Sequence, residues 1–315
     1  YGLVGSEMCI RDRTCHAGAG LHRPLRLFFI PRHTAGRPCT PPCAAAPGIF
    51  ASTIGTASPR ETDMKQRREF LPYLYALITI AATFLVGQLI LWFVPDNANP
   101  WASVLFILMN LLPMLAAFAF VRVSGEMSGL GQILRAAFSP RERWCAYAAA
   151  LAVPLVYYGV SALLGNVTCT ASPLPAMLAY FPWTLLQGGL EEVGWRWYLQ
   201  PRLSIGKSFA LNMLVIAAIW FVWHIPIYRL PWITAGSSNY LVFFLMILGN
   251  TFTLGAVKEL SRGSIPCIAA HMLIDTAAAA MIVGSDLTKV ALLAGVEIAL
   301  SVILVRLLRK RQSRA

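Results

Sequence analysis

Charge is what this sequence has least of. Only 13% of its 315 residues are Asp, Glu, Lys or Arg, against roughly 25% in soluble domains. With 57% hydrophobic residues and a mean hydropathy of +0.62, the shortage excludes an ordinary water-soluble enzyme and implies a polytopic helical membrane protein. Acidic residues are the scarcer sign, 14 against 26 basic ones for a net charge of +12. The basic residues flank apolar blocks, as cytoplasmic loops beside anionic lipid do, so the excess speaks for a bilayer and not for nucleic acid. Cysteine is scarce where it would matter. Cys9, Cys15, Cys39 and Cys43 lie in the first 63 residues, and only Cys145, Cys169 and Cys267 lie beyond, which excludes a disulfide framework. The spacings of the early cysteines with His16, His22 and His33 fit no compact zinc finger.

Residues 1–63 hold seven prolines, scattered arginines and no sustained periodicity, a composition expected of disorder. Tyr1–Arg13 reads like translated sequencing-adapter DNA, and Met64, followed by Lys65, Arg67 and Arg68, reads as the native start. Residues 64–315 are then the membrane domain, with a net charge of +9 once the extension's seven basic and four acidic residues are removed.

Eight apolar blocks follow, at 71–94, 101–121, 144–164, 174–199, 208–228, 240–257, 265–284 and 287–308. Each is about long enough to cross a ~30 Å hydrocarbon core. The fold class is all-α, a transmembrane bundle of about eight spans around a polar intramembrane cavity. Alternate connections carry the basic residues: Arg122, Arg135, Arg141 and Arg143, then Arg202 and Lys207, then Lys258 and Arg262, then the C-terminal cluster. The opposite connections hold Arg229 alone, with Lys289 close by, so both termini are predicted cytoplasmic. A bacterial plasma membrane suits this build. Residues 130–144 are either a short interfacial helix or a plain loop. The sequon Asn166-Val167-Thr168 is too close to the membrane to carry weight.

The few charges that do lie at bilayer depth stand out, because each costs about 2.5–3.5 kcal/mol to insert. Glu191, Glu192 and Arg196 fall within six positions of the fourth block. Glu192 and Arg196 are four apart, on one helical face, and read as an ion pair with a second role open in gripping a substrate backbone. Glu191 points about 100° away with no evident local partner. That makes it the candidate base, since a carboxylate in a low-dielectric pocket is well placed to take a proton from water. The membrane domain contains two histidines, His224 and His271, both inside apolar blocks, and Asp275 shares a face with His271. Counted from the predicted cytoplasmic ends, Glu191 and His271 lie roughly 10–15 Å deep and His224 roughly 20–25 Å, which points to a site opening toward the cytoplasm. Trp195 and Trp197 are placed to wall it. Asn110, Asn212 and Asn250 read as interhelical hydrogen-bond formers, and Glu297 as structural.

At these residues the chain resembles the CPBP family of intramembrane proteases (CAAX-processing and bacteriocin-processing proteins), also called the ABI or Rce-one-like family. The family's Glu-Glu-x-x-x-Arg motif matches Glu191, Glu192 and Arg196. Its Phe-x-x-x-His motif aligns on Trp220 and His224, with Trp in place of Phe, and its His-x-x-x-Asn/Asp motif matches His271 and Asp275. The resemblance covers residues 174–284. It implies a membrane-embedded endopeptidase whose substrates are peptides, prenylated proteins or membrane proteins. In that scheme Glu191 activates water, His224 helps to orient it, and His271 and Asp275 stabilise the oxyanion. Asp275 as an ionised group would repel an oxyanion, so it is either neutral or orients His271.

The cofactor is open between none and a single divalent metal such as zinc, for which Glu191, His224 and His271 could be ligands. Against metal, no His-Glu-x-x-His helix occurs, and Glu191 as a ligand would leave no spare base except Glu192. Two other functions compete: a catalytically silent immunity or scaffold protein, and a proton-coupled transporter, which predicts inverted repeats that the sequence does not display.

Overall fold

The structure is a computed structural model that describes residues 59–315 except 95, 97, 171–173, 204, 206, 207, 231, 233–238 and 315, with the backbone alone at 59–68. The predicted extension 1–63 therefore lies outside the described residues up to position 58, and helix α1 (Pro59–Phe93) begins five residues before Met64. Next come α2 (Pro100–Val123), α3 (Leu130–Ala137), α4 (Trp144–Leu163) and strand β1 (Val167–Cys169). The chain continues through α5 (Leu174–Thr184), two π-helical stretches (Leu185–Gly189 and Val193–Leu199), α6 (Gln200–Arg202) and α7 (Phe209–Tyr228). It closes with α8 (Tyr240–Leu260), α9 (Ile265–Ala278), strand β2 (Met281–Val283) and α10 (Leu287–Gln312).

The long helices start where the sequence supplies a cap. Asn99 accepts from the Trp101 amide at 3.0 Å with Pro100 in the first turn, Ser208 accepts from Leu211 at 3.3 Å, and Asp286 accepts from Lys289 at 3.0 Å. Among the described residues six helices are long and apolar enough to cross a membrane: Glu69–Phe93 within α1, then α2, α4, α7, α8 and α10. Large side chains such as Leu77, Leu155, Leu163 and Ile303 point outward, where lipid supplies the apolar surroundings that water would not.

The other two predicted spans are interrupted, and the interruptions matter. The block 174–199 is not one regular helix. Pro182 lacks an amide, Gly188 and Gly189 hold the helix weakly, and the hydrogen bonding loosens into the two π-helical stretches on either side of Glu191 and Glu192. The block 265–284 ends as a helix at Ala278, and its last residues form β2. Strand β2 pairs antiparallel with β1 in the register Val167↔Val283, Thr168↔Ile282 and Cys169↔Met281. Asn166, at the head of the sequon, is spent on this ribbon: it is buried, and its amide donates to the Gly284 carbonyl at 3.0 Å. The 130–144 segment contains the helical alternative, α3.

Around the interrupted span the core is aromatic. Tyr75 of α1 donates to the Pro113 carbonyl of α2 at 2.9 Å, and its ring meets Tyr198 and Trp195 at centroid distances of 4.6 and 6.1 Å. Loop α8–α9 is fastened from below, where Glu142 accepts from the backbone amides of Arg262 and Gly263. The interrupted segment is thereby held by α1 and α2 on one side and α9 on the other.

Candidate functional site

Three elements carry the polar cluster. The π-helical segment presents Glu191, Glu192 and Arg196, α7 presents His224, and α9 presents His271 and Asp275. Close approach of α9 depends on Gly188, where a Cβ would lie 2.8 Å from His271 Nε2 and would collide with the Asp275 carboxylate. Any side chain there would push the two elements apart.

Glu191, buried to 3% exposure, has partners after all. Its Oε2 accepts from the indole Nε1 of Trp220 at 3.1 Å and of Trp195 at 3.4 Å. Trp195 therefore holds the carboxylate, whereas Trp197 packs against Phe118 and the Arg202 guanidinium, away from it. Glu192 does form the expected ion pair, with Arg196 Nε 2.8 Å from its Oε2. Its other oxygen accepts from His271 Nδ1 at 2.9 Å. Arg196, Glu192 and His271 are thus one continuous chain of contacts with no water-facing member except the imidazole. The guanidinium also lies 5.3 Å from the Trp220 ring centroid and reaches the Thr251 carbonyl at 3.3 Å.

His224 Nδ1 lies 2.8 Å from the Trp220 carbonyl. A carbonyl only accepts, so Nδ1 carries the proton and Nε2 of the neutral ring is left with its lone pair. Asp275 Oδ2 is 3.6 Å from His271 Nε2, beyond hydrogen-bond reach, and its side chain is partly exposed. The orienter of His271 is therefore Glu192, a role the sequence reading offered to Asp275.

Glu191, His224, His271 and Asp275 all line one cavity of about 320 Å³. The rest of its wall is mostly apolar or phenolic, with Tyr157, Tyr180, Tyr228, Phe243, Met246 and Ile282 among the contributors. Most of the wall falls near the middle or in one half of the bundle: the first half of α2 and of α8, Tyr180 and Gln187 ahead of Glu191, and the later turns of α4, α7 and α9, with Leu254 of α8 on the other side of the middle. That half ends in the connections almost free of basic residues. The depth count from the sequence pointed to a cytoplasmic opening. Much of the cavity's apolar wall lies between the polar cluster and the β1–β2 ribbon, the half that loop charge assigns to the outside. His224, the outlier by depth, fits for the same reason.

Among the described residues no three His, Cys, Asp or Glu side chains are grouped to hold a metal ion. Two indoles occupy Glu191 Oε2, Glu192 occupies His271 Nδ1 and the Trp220 carbonyl occupies His224 Nδ1, which leaves Glu191 Oε1 and the two Nε2 atoms for the cavity.

The geometry agrees with what comparison finds. The family described as type II CAAX prenyl endopeptidase Rce1-like matches residues 172–277. The chain carries an Rce1-like domain. A comparison with curated proteins returned no match. The Rce1-like domain opens at the start of α5 and ends within α9, so it contains all six residues singled out from the sequence and leaves α1–α4 and α10 as the surrounding bundle.

Several contacts around the cavity had no sequence signal. Trp220 was matched only as a motif position, since nothing in spacing shows an indole nitrogen 29 positions away from its acceptor. Gln187, which accepts from the Tyr180 hydroxyl at 2.6 Å on the cavity wall, was equally silent. Of the three asparagines, Asn110 donates within its own helix to the Phe106 carbonyl at 2.7 Å, and Asn212 accepts from the Ile205 amide at 2.9 Å. The side-chain oxygen Oδ1 of Asn250 is buried without a partner beside the cavity.

Proposed function

We propose that the Rce1-like domain is an intramembrane endopeptidase of the CAAX-processing type that hydrolyses a peptide bond with glutamate-activated water. The observation that carries the proposal is the gathering of Glu191, His224 and His271 from three separate elements on one cavity wall. The substrate is a peptide or a prenylated or membrane-bound protein whose apolar part rests on the aromatic and aliphatic wall.

Glu191 takes the proton of the attacking water through Oε1, the oxygen not held by the indoles. His224 Nε2 accepts the water's other hydrogen and so sets its direction. The carbonyl carbon goes tetrahedral, and its oxygen is met from the His271 side. There the ring, doubly protonated, donates from Nε2 while Nδ1–H stays on Glu192. A donor of this kind is worth about 2.7–4 kcal/mol of transition-state stabilisation. The proton on Glu191 then passes to the leaving amine, which regenerates the carboxylate. Asp275 is close enough for one bridging water to link it to His271 Nε2, and it is not needed as an oxyanion donor. No step is routed through a metal.

A silent immunity or scaffold role predicts no turnover and no dependence on these side chains. The test is cleavage of a farnesylated peptide ending in a CaaX sequence by the detergent-solubilised chain, as wild type, Glu191→Ala and His224→Ala. Loss of cleavage in both variants, with a chelator leaving the wild type unaffected, is the expected result. Equal turnover in all three removes the protease reading.

A further inference from the structure

Trp220 stands where the family motif has phenylalanine, and it touches more of the cluster than any catalytic candidate does. Its indole nitrogen donates to Glu191, and its carbonyl accepts from His224. Its ring meets the His224 and His271 rings at 5.3 and 5.6 Å and lies under the Arg196 guanidinium. The residue is 2% exposed, so these contacts are not shared with water. Trp195, fully buried, adds the second indole on the same oxygen of Glu191 and is itself wedged between Tyr75 and Trp223 at centroid distances of 6.1 and 5.7 Å.

A carboxylate with both oxygens free can rotate about its last torsion and present either one to a water. Two donors converging on Oε2 remove that freedom. From this we infer that Trp220, assisted by Trp195, is the positioning residue of the site: the paired indoles clamp Oε2 of Glu191 and leave Oε1 alone to address the cavity. Indole is suited to the task. It donates and never accepts, it is rigid, and it brings no charge into the bilayer. Phenylalanine at position 220 fills much of the same space and packs against the same imidazoles, but it has nothing to give to Glu191. The inference rests on Glu191 being the base, and its test separates the two claims.

The full chain in detergent, with its tryptophan indoles labelled with nitrogen-15, is compared with Trp220→Phe, Trp195→Phe and Glu191→Ala. The phenylalanine variants assign the two indole N–H resonances by their disappearance. In Glu191→Ala both resonances are expected to move upfield as their hydrogen bonds are lost, with the larger shift for Trp220, whose contact is shorter. Resonances that stay in place overturn the clamp whatever the activity. With a farnesylated CaaX peptide, Trp220→Phe is expected to lower kcat by about tenfold with KM unchanged, the loss of a hydrogen bond to a charged group that matters in the transition state. Trp195→Phe should do the same more weakly. An unchanged kcat, or a raised KM at constant kcat, gives Trp220 a wall role only and contradicts the inference. Moving resonances in a chain that cleaves nothing uphold the clamp and defeat the hydrolase reading instead.

Discussion

Buried ions decide most at the scale of single residues. Arg196 and Glu192 are both fully buried, and His271 leans on the same carboxylate. Taking one partner out of a buried pair costs about 3–5 kcal/mol, because the other charge is stranded. Glu192→Gln strands Arg196, whose Nη2 already lacks a partner. Unfolding in mixed micelles should show a loss of that size, and turnover should fall as well, since His271 loses its orienter. A neutral effect on stability would mean that the pair contributes little to the fold. The Glu192–Arg196 half of this chain was legible in the sequence, since a four-residue spacing is local and helical geometry alone settles it. The His271 half was not. It depends on the register between the π-helical segment and α9, 79 positions apart, and no local pattern encodes that register. The indole partners of Glu191 were hidden for the same reason.

Between elements, the α8–α10 seam shows how small residues accommodate an awkward one. Glu297 of α10 is fully buried with both carboxyl oxygens unpartnered, and it sits against Gly249, where a Cβ would lie 3.0 Å from the Glu297 carboxyl carbon. A double-mutant cycle tests this contact. Gly249→Ala alone should destabilise by about 1–3 kcal/mol through overpacking. Glu297→Ala should remove most of that penalty, giving a coupling well outside additivity. Additive effects would show that the two residues do not share the seam. The six long spans were readable as continuous apolar runs. The two interrupted ones were not, because hydropathy measures length and polarity, whereas the breaks at Gly188–Gly189 and after Ala278 are matters of backbone hydrogen bonding. Those breaks are also where the polar cluster and the cavity wall lie.

Over the molecule as a whole, the cavity and the loop charges make a joint statement about sidedness. The wall extends to Ile282 and Tyr228, on the face opposite the basic connections and the C-terminal cluster of α10. In sealed right-side-out vesicles, with the native cysteines replaced by serine, Ile282→Cys should react with a membrane-impermeant maleimide and Arg314→Cys should not. The reverse pattern would invert the bundle and hand the cavity to the cytoplasm.

The central claim is that Glu191 removes the proton of the attacking water, and Glu191→Gln addresses it with little disturbance. The amide keeps the volume of the side chain, and its oxygen can still accept from Trp220 and Trp195. The measurement is kcat for a farnesylated CaaX peptide, taken alongside the unfolding midpoint in the same detergent. The account predicts a kcat lowered by about 10²–10⁴-fold, the worth of a general base, with the midpoint essentially unmoved. A variant that unfolds like the wild type and turns over at the wild-type rate would contradict it.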